Sequence, residues 1–392
     1  MQAARPMDAQ IPAPAPAPRA YALTRLSLSN YRSYVGIALE CDARPVVLAG
    51  ENGAGKTNVL EAISWLSPGR GLRGVPFVEA CREEPGAAPA AWAVAATLLG
   101  PDGAFEAGTG ISANSEGETP RRLVRINHAP ASGPSALTEI FSVLWLTPAM
   151  DRLFIEGASG RRKFLDRIAM GFEPGHAQAC AAYERATRER LRLLRDGRGD
   201  PRWLDGLEAE MARHGAAMIR NRLHAVMRLM SAMEEETSGF PAAIIALAGE
   251  AETLFAADPA SACEAIAARL ARSRRLDEAA GRTLFGPHRA DLDVRHARRN
   301  REAASCSTGE QKALLISLIL AAARAQSGRA VPVLLLDEVA AHLDETRRMA
   351  LFDAITALGA QAWMTGTDMT MFEPMDSRAQ KFRVGNGAII PH

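Results

Sequence analysis

The sequence has few cysteines, few aromatic residues and almost no net charge, and each shortage excludes a class of protein. The five cysteines are odd in number and form no Cys-x-x-Cys pair, so neither a disulfide framework nor a zinc site is expected. An aromatic content of 5% argues against a stacking platform for single-stranded nucleic acid. Because the formal net charge is only +1, any binding of nucleic acid must depend on local basic patches.

Long apolar stretches are also missing. The longest apolar run, residues 313–323, is well short of the roughly 20 residues that span a bilayer. No charged and then apolar leader opens the sequence. We therefore expect a soluble, cytoplasmic protein without a membrane partner. Residues 1–20 form an Ala/Pro tract that cannot build a core, and they are predicted to be a disordered tail.

Residues 50–57 fit the phosphate-binding pattern Gly-x-x-x-x-Gly-Lys-[Ser/Thr]. An apolar run precedes them, and Val59, Ile63 and Leu66 follow at helical spacing, so a strand, a loop and a helix are predicted. Such a loop leaves the first N–H groups of the helix without partners and directs the positive end of the helix dipole at an anion. A dinucleotide site is disfavoured, because the third glycine of Gly-x-Gly-x-x-Gly would fall on Asn58.

Each residue type in this loop suits a nucleotide phosphate. The glycines let the backbone curl around the β-phosphate, Lys56 can reach the β and γ oxygens, and the hydroxyl of Thr57 can bind Mg²⁺. The predicted ATP-binding residues here are Gly50, Glu51, Asn52, Gly53, Ala54, Gly55, Lys56 and Thr57.

A second motif follows near residue 337. The run Val333–Leu336 is typical of a buried parallel strand and ends in Asp337 and Glu338. Ligands lie at the carboxyl end of such strands in a doubly wound sheet. Asp337 is therefore predicted to hold hydrated Mg²⁺, and Glu338 to orient and deprotonate the attacking water, with Lys56 as the other catalytic residue.

Between the two motifs, Ser307 and Gly309 open a strongly periodic helix. By itself this pattern predicts a helix cap, with Glu310 completing a capping box. The capped helix, however, directly precedes the Asp-Glu strand and Leu343-Asp344, which is the motif order of ABC-type ATPases. The sequence resembles that superfamily. The resemblance implies that Ser307 and Gly309 complete the γ-phosphate site of the opposite subunit, and that ATP binding produces a homodimer.

Three further segments, "NYRSY" at 30–34, "EGASGRRKFLDRI" at 156–168 and "GPHRADL" at 286–292, resemble the RecF family of bacterial recombinational-repair ATPases. The similarity covers almost everything after the tail. It implies a weak ATPase that dimerises on ATP, binds duplex DNA near single-strand gaps and helps a RecR-type mediator load the RecA recombinase.

The expected architecture is an α/β ABC-type head, with a mixed sheet and an antiparallel β layer, built from residues 21–160 and 286–392. Residues 161–285 are predicted to form an inserted helical arm, because the stretch from 161 to 236 is poor in strand formers and contains two helical patterns separated at 197–201. An ABC transporter subunit is the alternative function. In such a subunit, fewer residues would separate the two motifs than separate Lys56 from Asp337 here.

This sequence departs from the superfamily pattern at three places. Glu310 replaces the usual signature glutamine, and no sensing glutamine is evident in residues 144–152. Thr365 or Thr367 occupies the switch position in place of histidine, so any γ-phosphate sensing there would be by a hydroxyl.

Basic residues of the arm are the candidate DNA contacts, and a solvated charged helix face is the competing interpretation. Without a motif for reading base edges, contact with phosphates irrespective of sequence is expected. The candidates are Arg161, Arg162, Lys163, Arg185, Arg188, Arg190, Arg192, Arg195, Arg198, Arg272, Arg274 and Arg275.

Overall fold

The computed structural model describes residues 20–82, 91–112, 121–197, 200–235 and 239–392. The predicted tail, apart from its last residue, and Arg198 lie outside the described residues. The strands are β1 (Ala22–Tyr31), β2 (Tyr34–Glu40), β3 (Val46–Ala49), β4 (Trp92–Gly100), β5 (Gly103–Ile111), β6 (Arg122–Ile126), β7 (Ala129–Pro130), β8 (Val143–Leu146), β9 (Ala243–Ala248), β10 (Asp291–His296), β11 (Arg301–Glu302), β12 (Val333–Leu336), β13 (Ala362–Gly366), β14 (Gln380–Gly385) and β15 (Ala388–Pro391).

The α-helices are α1 (Lys56–Ser64), α2 (Leu137–Ile140), α3 (Ala158–Phe172), α4 (His176–Arg195), α5 (Pro201–Glu234), α6 (Glu250–Ala257), α7 (Ala262–Ala280), α8 (Thr308–Gln326) and α9 (Glu345–Leu358). None of those in the described part of the chain combines the length and the apolar character that crossing a membrane requires.

An antiparallel sheet forms one layer, in the order β2-β1-β4-β5-β6-β7. Strands β1 and β2 pair antiparallel ahead of the phosphate loop, with Leu28 facing Ile37. Alternate residues such as Leu26 and Val94 are buried, as the alternating pattern requires. Their buried face belongs to the same apolar cluster as α1, so this layer supports the helix that follows the phosphate loop.

The central sheet has the order β15-β14-β3-β13-β12-β8. All its neighbouring pairs are parallel except β14 with β15. Strands β3, β8, β12 and β13 are buried at every residue, which explains their continuous apolar runs and confirms the predicted strand Val333–Leu336. The carboxyl ends of β3, β12 and β13 meet at one edge of the sheet, where both motifs lie.

The region after the antiparallel layer is mainly helical, but the sequence prediction of two helices between 161 and 236 is wrong. The described residues of this stretch form three helices, because residues 173–175, Glu-Pro-Gly, separate α3 from α4. Helix α5 begins at the end of the separating segment 197–201, where the Asp200 carboxylate accepts a hydrogen bond from the Arg202 amide and Pro201 is the first helical residue. Met211, Met218 and Met233 are buried, as expected for core residues.

A small sheet of order β11-β10-β9 connects the helices to the rest of the chain. Its strand β9 lies before position 285 and pairs antiparallel with β10, which lies after it. This pairing was not predicted from the sequence, and the sheet crosses the predicted boundary between arm and head.

The segments 156–168 and 286–292 interlock beside this sheet. The Arg161 guanidinium donates two hydrogen bonds to the Asp291 carboxylate, at 2.7 and 2.8 Å. Arg222 of α5 donates to both carboxylate oxygens of Asp166 and also to the carbonyl of Pro287. These ion pairs tie α3 and α5 to the turn before β10.

Candidate nucleotide-binding site

The phosphate loop runs from the end of β3 to the start of α1. The Gly50 amide donates to the Gly366 carbonyl at 3.2 Å. A Cβ atom at Gly50 would lie 2.2 Å from the carbonyl oxygen of Val384, so a side chain does not fit here. Gly53 and Gly55 have φ values of 81° and 106°, a left-handed backbone that favours glycine. Glycine is therefore required at position 50 because a side chain would clash, and it is favoured at positions 53 and 55 because of the left-handed backbone.

Lys56 lies across this loop. Its ammonium donates to the carbonyls of Gly50, at 2.7 Å, and Glu51, at 2.9 Å. Burial lowers the pKa of Lys56, whereas the nearby carboxylates of Glu338 and Asp337 act in the opposite direction. Tyr34 closes the loop from the other side, because its hydroxyl donates to the Gly55 carbonyl at 3.1 Å. Burial raises the pKa of Tyr34 to about 12, which keeps this hydroxyl neutral.

The start of α1 is suited to an anion. Gly55 is its N-cap, no described side chain caps it, and its first turn contains no acidic residue. The first amides of a helix have no intrahelical acceptors, and the helix dipole is positive at this end. An anion bound in the loop would satisfy these donors.

The two motifs meet although they are far apart in sequence. The Thr57 hydroxyl donates to the Asp337 carboxylate, 280 positions away, at 2.9 Å to Oδ1 and 3.1 Å to Oδ2. Thr365 of β13 donates to the same Oδ1 at 2.7 Å. The Asp337 amide donates to the Leu146 carbonyl at 2.9 Å, which fixes its backbone to β8. Asp337 is buried, and its carboxylate is held between two hydroxyls.

This group of oxygen atoms fits a magnesium ion. A hydroxyl and a carboxylate are hard donors of the kind that Mg²⁺ prefers, and Mg²⁺ usually keeps several of its waters. Thr57 would bind the ion directly, and Asp337 would hold its hydration shell. Glu338, the next residue, is partly exposed and has a φ of 51°, so its backbone turns sharply away from the strand.

An open cavity of about 850 Å³ adjoins the loop, within the range of small-molecule sites. Residues 50–54 form one wall, and Thr367, Arg383 and Asn386 contribute to the others. Sequence analysis did not identify the turn from β14 to β15 as part of this cavity, because no recognisable motif marks that turn. Tyr34 and Thr365 were also missed in their present roles, since both act through hydrogen bonds to distant segments.

Ser307 and Gly309 are exposed at the start of α8. The predicted capping box is confirmed: Ser307 Oγ accepts from the Glu310 amide, and the Glu310 carboxylate accepts from the Ser307 amide. Asp344 caps the neighbouring α9, and Arg347 of that helix donates to the Gly309 carbonyl at 3.4 Å. Among the described residues of one chain, Ser307 and Gly309 form no hydrogen bond with the phosphate loop. Both remain free to face another molecule.

The candidate DNA-contacting arginines divide into two groups. Arg190 is fully buried, and it donates to Glu208, Asp277 and the Leu270 carbonyl. Arg161 is occupied by its ion pair with Asp291, and Arg274 by its ion pairs with Asp205 and Glu208. Arg162 is half-buried and donates to the Ala290 carbonyl. These four arginines are therefore not available to DNA. Exposed members of the set are Arg185, Arg188, Arg192, Arg195, Arg272 and Arg275, together with Lys163. The first four lie on α4, and the next two lie on the adjacent α7.

Known proteins resemble this chain along nearly its whole length. The family model described as RecF/RecN/SMC N terminal domain matches residues 22–389. The DNA replication and repair protein RecF of Rhizobium etli (strain CIAT 652) is 48% identical over 378 residues, covering 95% of this chain and 100% of that protein. The protein of the same name from Agrobacterium fabrum is 47% identical over 372 residues, covering 94% and 98%.

Solved structures show the same fold. The recombination mediator protein RecF-ATPrS of the RecFOR pathway superposes with a TM-score of 0.80 at 22% identity, covering 96% of this chain and 99% of that one. The Smc head domain from Pyrococcus furiosus gives 0.53 at 15% identity, covering 94% and 95%. These likenesses confirm the predicted ABC-type ATPase head. With a family match that spans 22–389 and relatives 48% identical, the chain belongs to the RecF family of RecF/RecN/SMC proteins.

Proposed function

We propose that this protein is an ATP-dependent DNA-binding protein of recombinational repair and replication that acts in the cytoplasm. Two ATP-bound heads form a homodimer on duplex DNA beside single-strand gaps, and a RecR-type mediator then loads the RecA recombinase. Slow ATP hydrolysis ends this state. The observation that carries the proposal is the contact between Thr57 and Asp337, which joins the phosphate loop and the acidic pair into one site.

The chemistry follows from the positions of these residues. Lys56 exchanges its two carbonyl partners for the β and γ oxygens of ATP, which are stronger acceptors because they carry charge. Thr57 and Asp337 would hold Mg²⁺, which would supply positive charge to neutralise the phosphates. Glu338, next to Asp337 at the edge of the sheet, orients and deprotonates the attacking water.

The relatives support the biological setting. Those from Rhizobium and Agrobacterium are named DNA replication and repair proteins. The structural neighbours are described as a recombination mediator with ATP or ATPrS in the RecFOR pathway. Membership of the RecF family favours this function over the transporter alternative, because the shared family covers the arm as well as both ATPase motifs.

The direct test is the mass of the particle in solution. We expect size-exclusion chromatography with light scattering to give a dimer with ATP and a monomer with ADP or no nucleotide. Gapped duplex should increase the dimer fraction in ATP. A particle whose mass does not depend on the nucleotide would contradict the proposed switch.

Substitution of Ser307 by arginine is expected to separate ATP binding from dimerisation. The residue is exposed, so one chain has room for a large side chain, and the lost N-cap of α8 costs only about 0.5 to 2 kcal/mol. The bulky cation would occupy the place where the partner's γ-phosphate must approach. We expect ATP affinity close to that of the parent and loss of the ATP-dependent dimer, measured by nucleotide titration and light scattering on the same sample.

Mixing Ser307→Arg with Lys56→Ala provides the control. A mixed dimer has two composite sites, of which one carries both substitutions and the other is intact. Some heterodimer should therefore form in ATP, although neither variant dimerises well alone. If Ser307→Arg dimerises as the parent does, Ser307 is only a helix cap and the composite-site proposal fails.

Replacing Arg188, Arg192 and Arg195 together by alanine tests the DNA surface. All three are exposed on α4. We expect binding to weaken equally for duplexes of unrelated sequence. The slope of log affinity against log salt concentration should decrease in magnitude by about 0.9 for each lost phosphate contact. Arg213→Ala on α5, an exposed arginine paired with Glu210, is the matched control. An unchanged salt slope in the triple variant would place the DNA surface elsewhere.

A further inference from the structure

Thr365 has a contact pattern that its place in the sequence does not indicate. It lies on β13 between β3 and β12, and only 1% of its surface is exposed. Its hydroxyl donates to Asp337 Oδ1 at 2.7 Å. The Thr365 hydroxyl oxygen in turn accepts a hydrogen bond from the Glu338 backbone amide at 2.8 Å. One buried hydroxyl therefore contacts both members of the acidic pair.

The proton of this hydroxyl is already used. A threonine hydroxyl has one proton to donate and can accept further hydrogen bonds through its lone pairs. Because that proton is directed at Asp337, Thr365 has none left to offer to a γ-phosphate. Sensing of the phosphate by Thr365, one of two assignments that the sequence allowed, is therefore disfavoured. Thr367, which is exposed at the cavity, is the remaining candidate.

The contact with Glu338 has a specific consequence for its backbone. Glu338 has a φ of 51°, a left-handed conformation that is unfavourable for a residue with a side chain. Such a conformation persists only where the surroundings hold it. The hydrogen bond from the Glu338 amide to Thr365 is a direct restraint of this kind. Without it, the peptide is free to relax toward negative φ, which would redirect the carboxylate.

We infer that Thr365 is a positioning residue for ATP hydrolysis, which fixes the Glu338 backbone and the Asp337 carboxylate in their working geometry through a single hydroxyl. This inference rests on the proposed function, because it assigns Glu338 the role of general base. Thr365 itself does not touch the nucleotide. Its effect on the reaction is transmitted through the two acidic residues.

The test compares Thr365→Val, which keeps the shape and removes the hydroxyl, with Thr365→Ser, which keeps the hydroxyl. We expect kcat of the valine variant to fall by roughly tenfold or more, because misplaced catalytic groups lose rate steeply. ATP affinity should stay close to the parental value, and the ATP-bound dimer should accumulate. Serine should restore most of the rate. Thr138→Val, at a buried head threonine bonded to the Ser135 and Pro174 carbonyls, is the matched control with parental turnover.

A double substitution makes the test specific. If Thr365 acts through the acidic pair, Thr365→Val should slow Glu338→Gln by a clearly smaller factor than it slows the parent, because one of the two groups that it positions is already disabled. A full multiplicative loss in the double variant would overturn the inference, as would parental turnover in Thr365→Val. Thr365→Ala serves in the same comparison if the valine variant does not fold. Absence of ATP hydrolysis by the parent protein would instead refute the proposed function, so the two failures are distinguishable.

Discussion

Lys56→Ala is expected to abolish ATP hydrolysis and to weaken ATP binding by roughly 100-fold, the effect of losing charge-assisted hydrogen bonds to phosphate. The Lys56 ammonium donates hydrogen bonds to the carbonyls of Gly50 and Glu51. These acceptors also keep the lysine inside the loop, ready to turn to a phosphate. Binding is measured with a fluorescent ATP analogue, and turnover by phosphate release.

A lysine outside the loop is the control for this variant. Lys163→Ala removes an exposed lysine of α3, and without DNA it should bind and hydrolyse ATP like the parent. Thermal unfolding without nucleotide should show that Lys56→Ala remains folded. Normal affinity and turnover in that folded variant would disprove the assignment of residues 50–57 as the ATP site.

Glu338→Gln is expected to slow hydrolysis by roughly 10² to 10⁴-fold, the usual contribution of a general base. The glutamine side chain has the same size as that of glutamate. The substitution also leaves intact the hydrogen bond that the backbone N–H of residue 338 donates to Thr365. It also removes a negative charge from beside the γ-phosphate. ATP should therefore bind at least as tightly as in the parent, and the ATP-bound dimer should persist for much longer in a light-scattering time course.

Glu345→Gln is the matched control for this second variant. Glu345 is an exposed acid in the first turn of α9, so its replacement should leave turnover unchanged. If Glu338→Gln hydrolysed ATP at the parental rate, the base would have to be another residue. Asp337 is a poor substitute, because its carboxylate is buried and already accepts from Thr57 and Thr365.

The parts of the site that could be predicted are those set by local sequence and by the geometry of parallel sheets. The strand before the phosphate loop and the strand Val333–Leu336 were both evident as buried apolar runs. Since ligands gather at the carboxyl ends of parallel strands, the approach of Thr57 to Asp337 could be expected without knowledge of the strand order. The capping box at Ser307 could be predicted because all its atoms lie within one turn of helix.

The parts that could not be predicted depend on contacts between distant segments. Arg188, Arg190 and Arg192 look equivalent in the sequence, yet Arg190 is buried because Glu208 and Asp277 from other helices face it. The role inferred for Thr365 likewise depends on Asp337, which directly follows the neighbouring strand β12. The division between α3 and α4 is different, since Pro174-Gly175 is a turn signal that sequence analysis could have used.

The buried contact between Leu23 and Gln361 shows how the head is assembled from the two ends of the chain. The Gln361 side chain accepts from the Leu23 amide and donates to the Leu23 carbonyl, across 338 positions. Strand β3 similarly lies between β13 and β14. At about 5 to 20 residues per second, a ribosome needs roughly 20 to 70 s to make the missing partners. Throughout that interval the phosphate-loop strand has both edges unpaired, so we expect the nascent chain to depend on chaperones until β13 and β14 have been made.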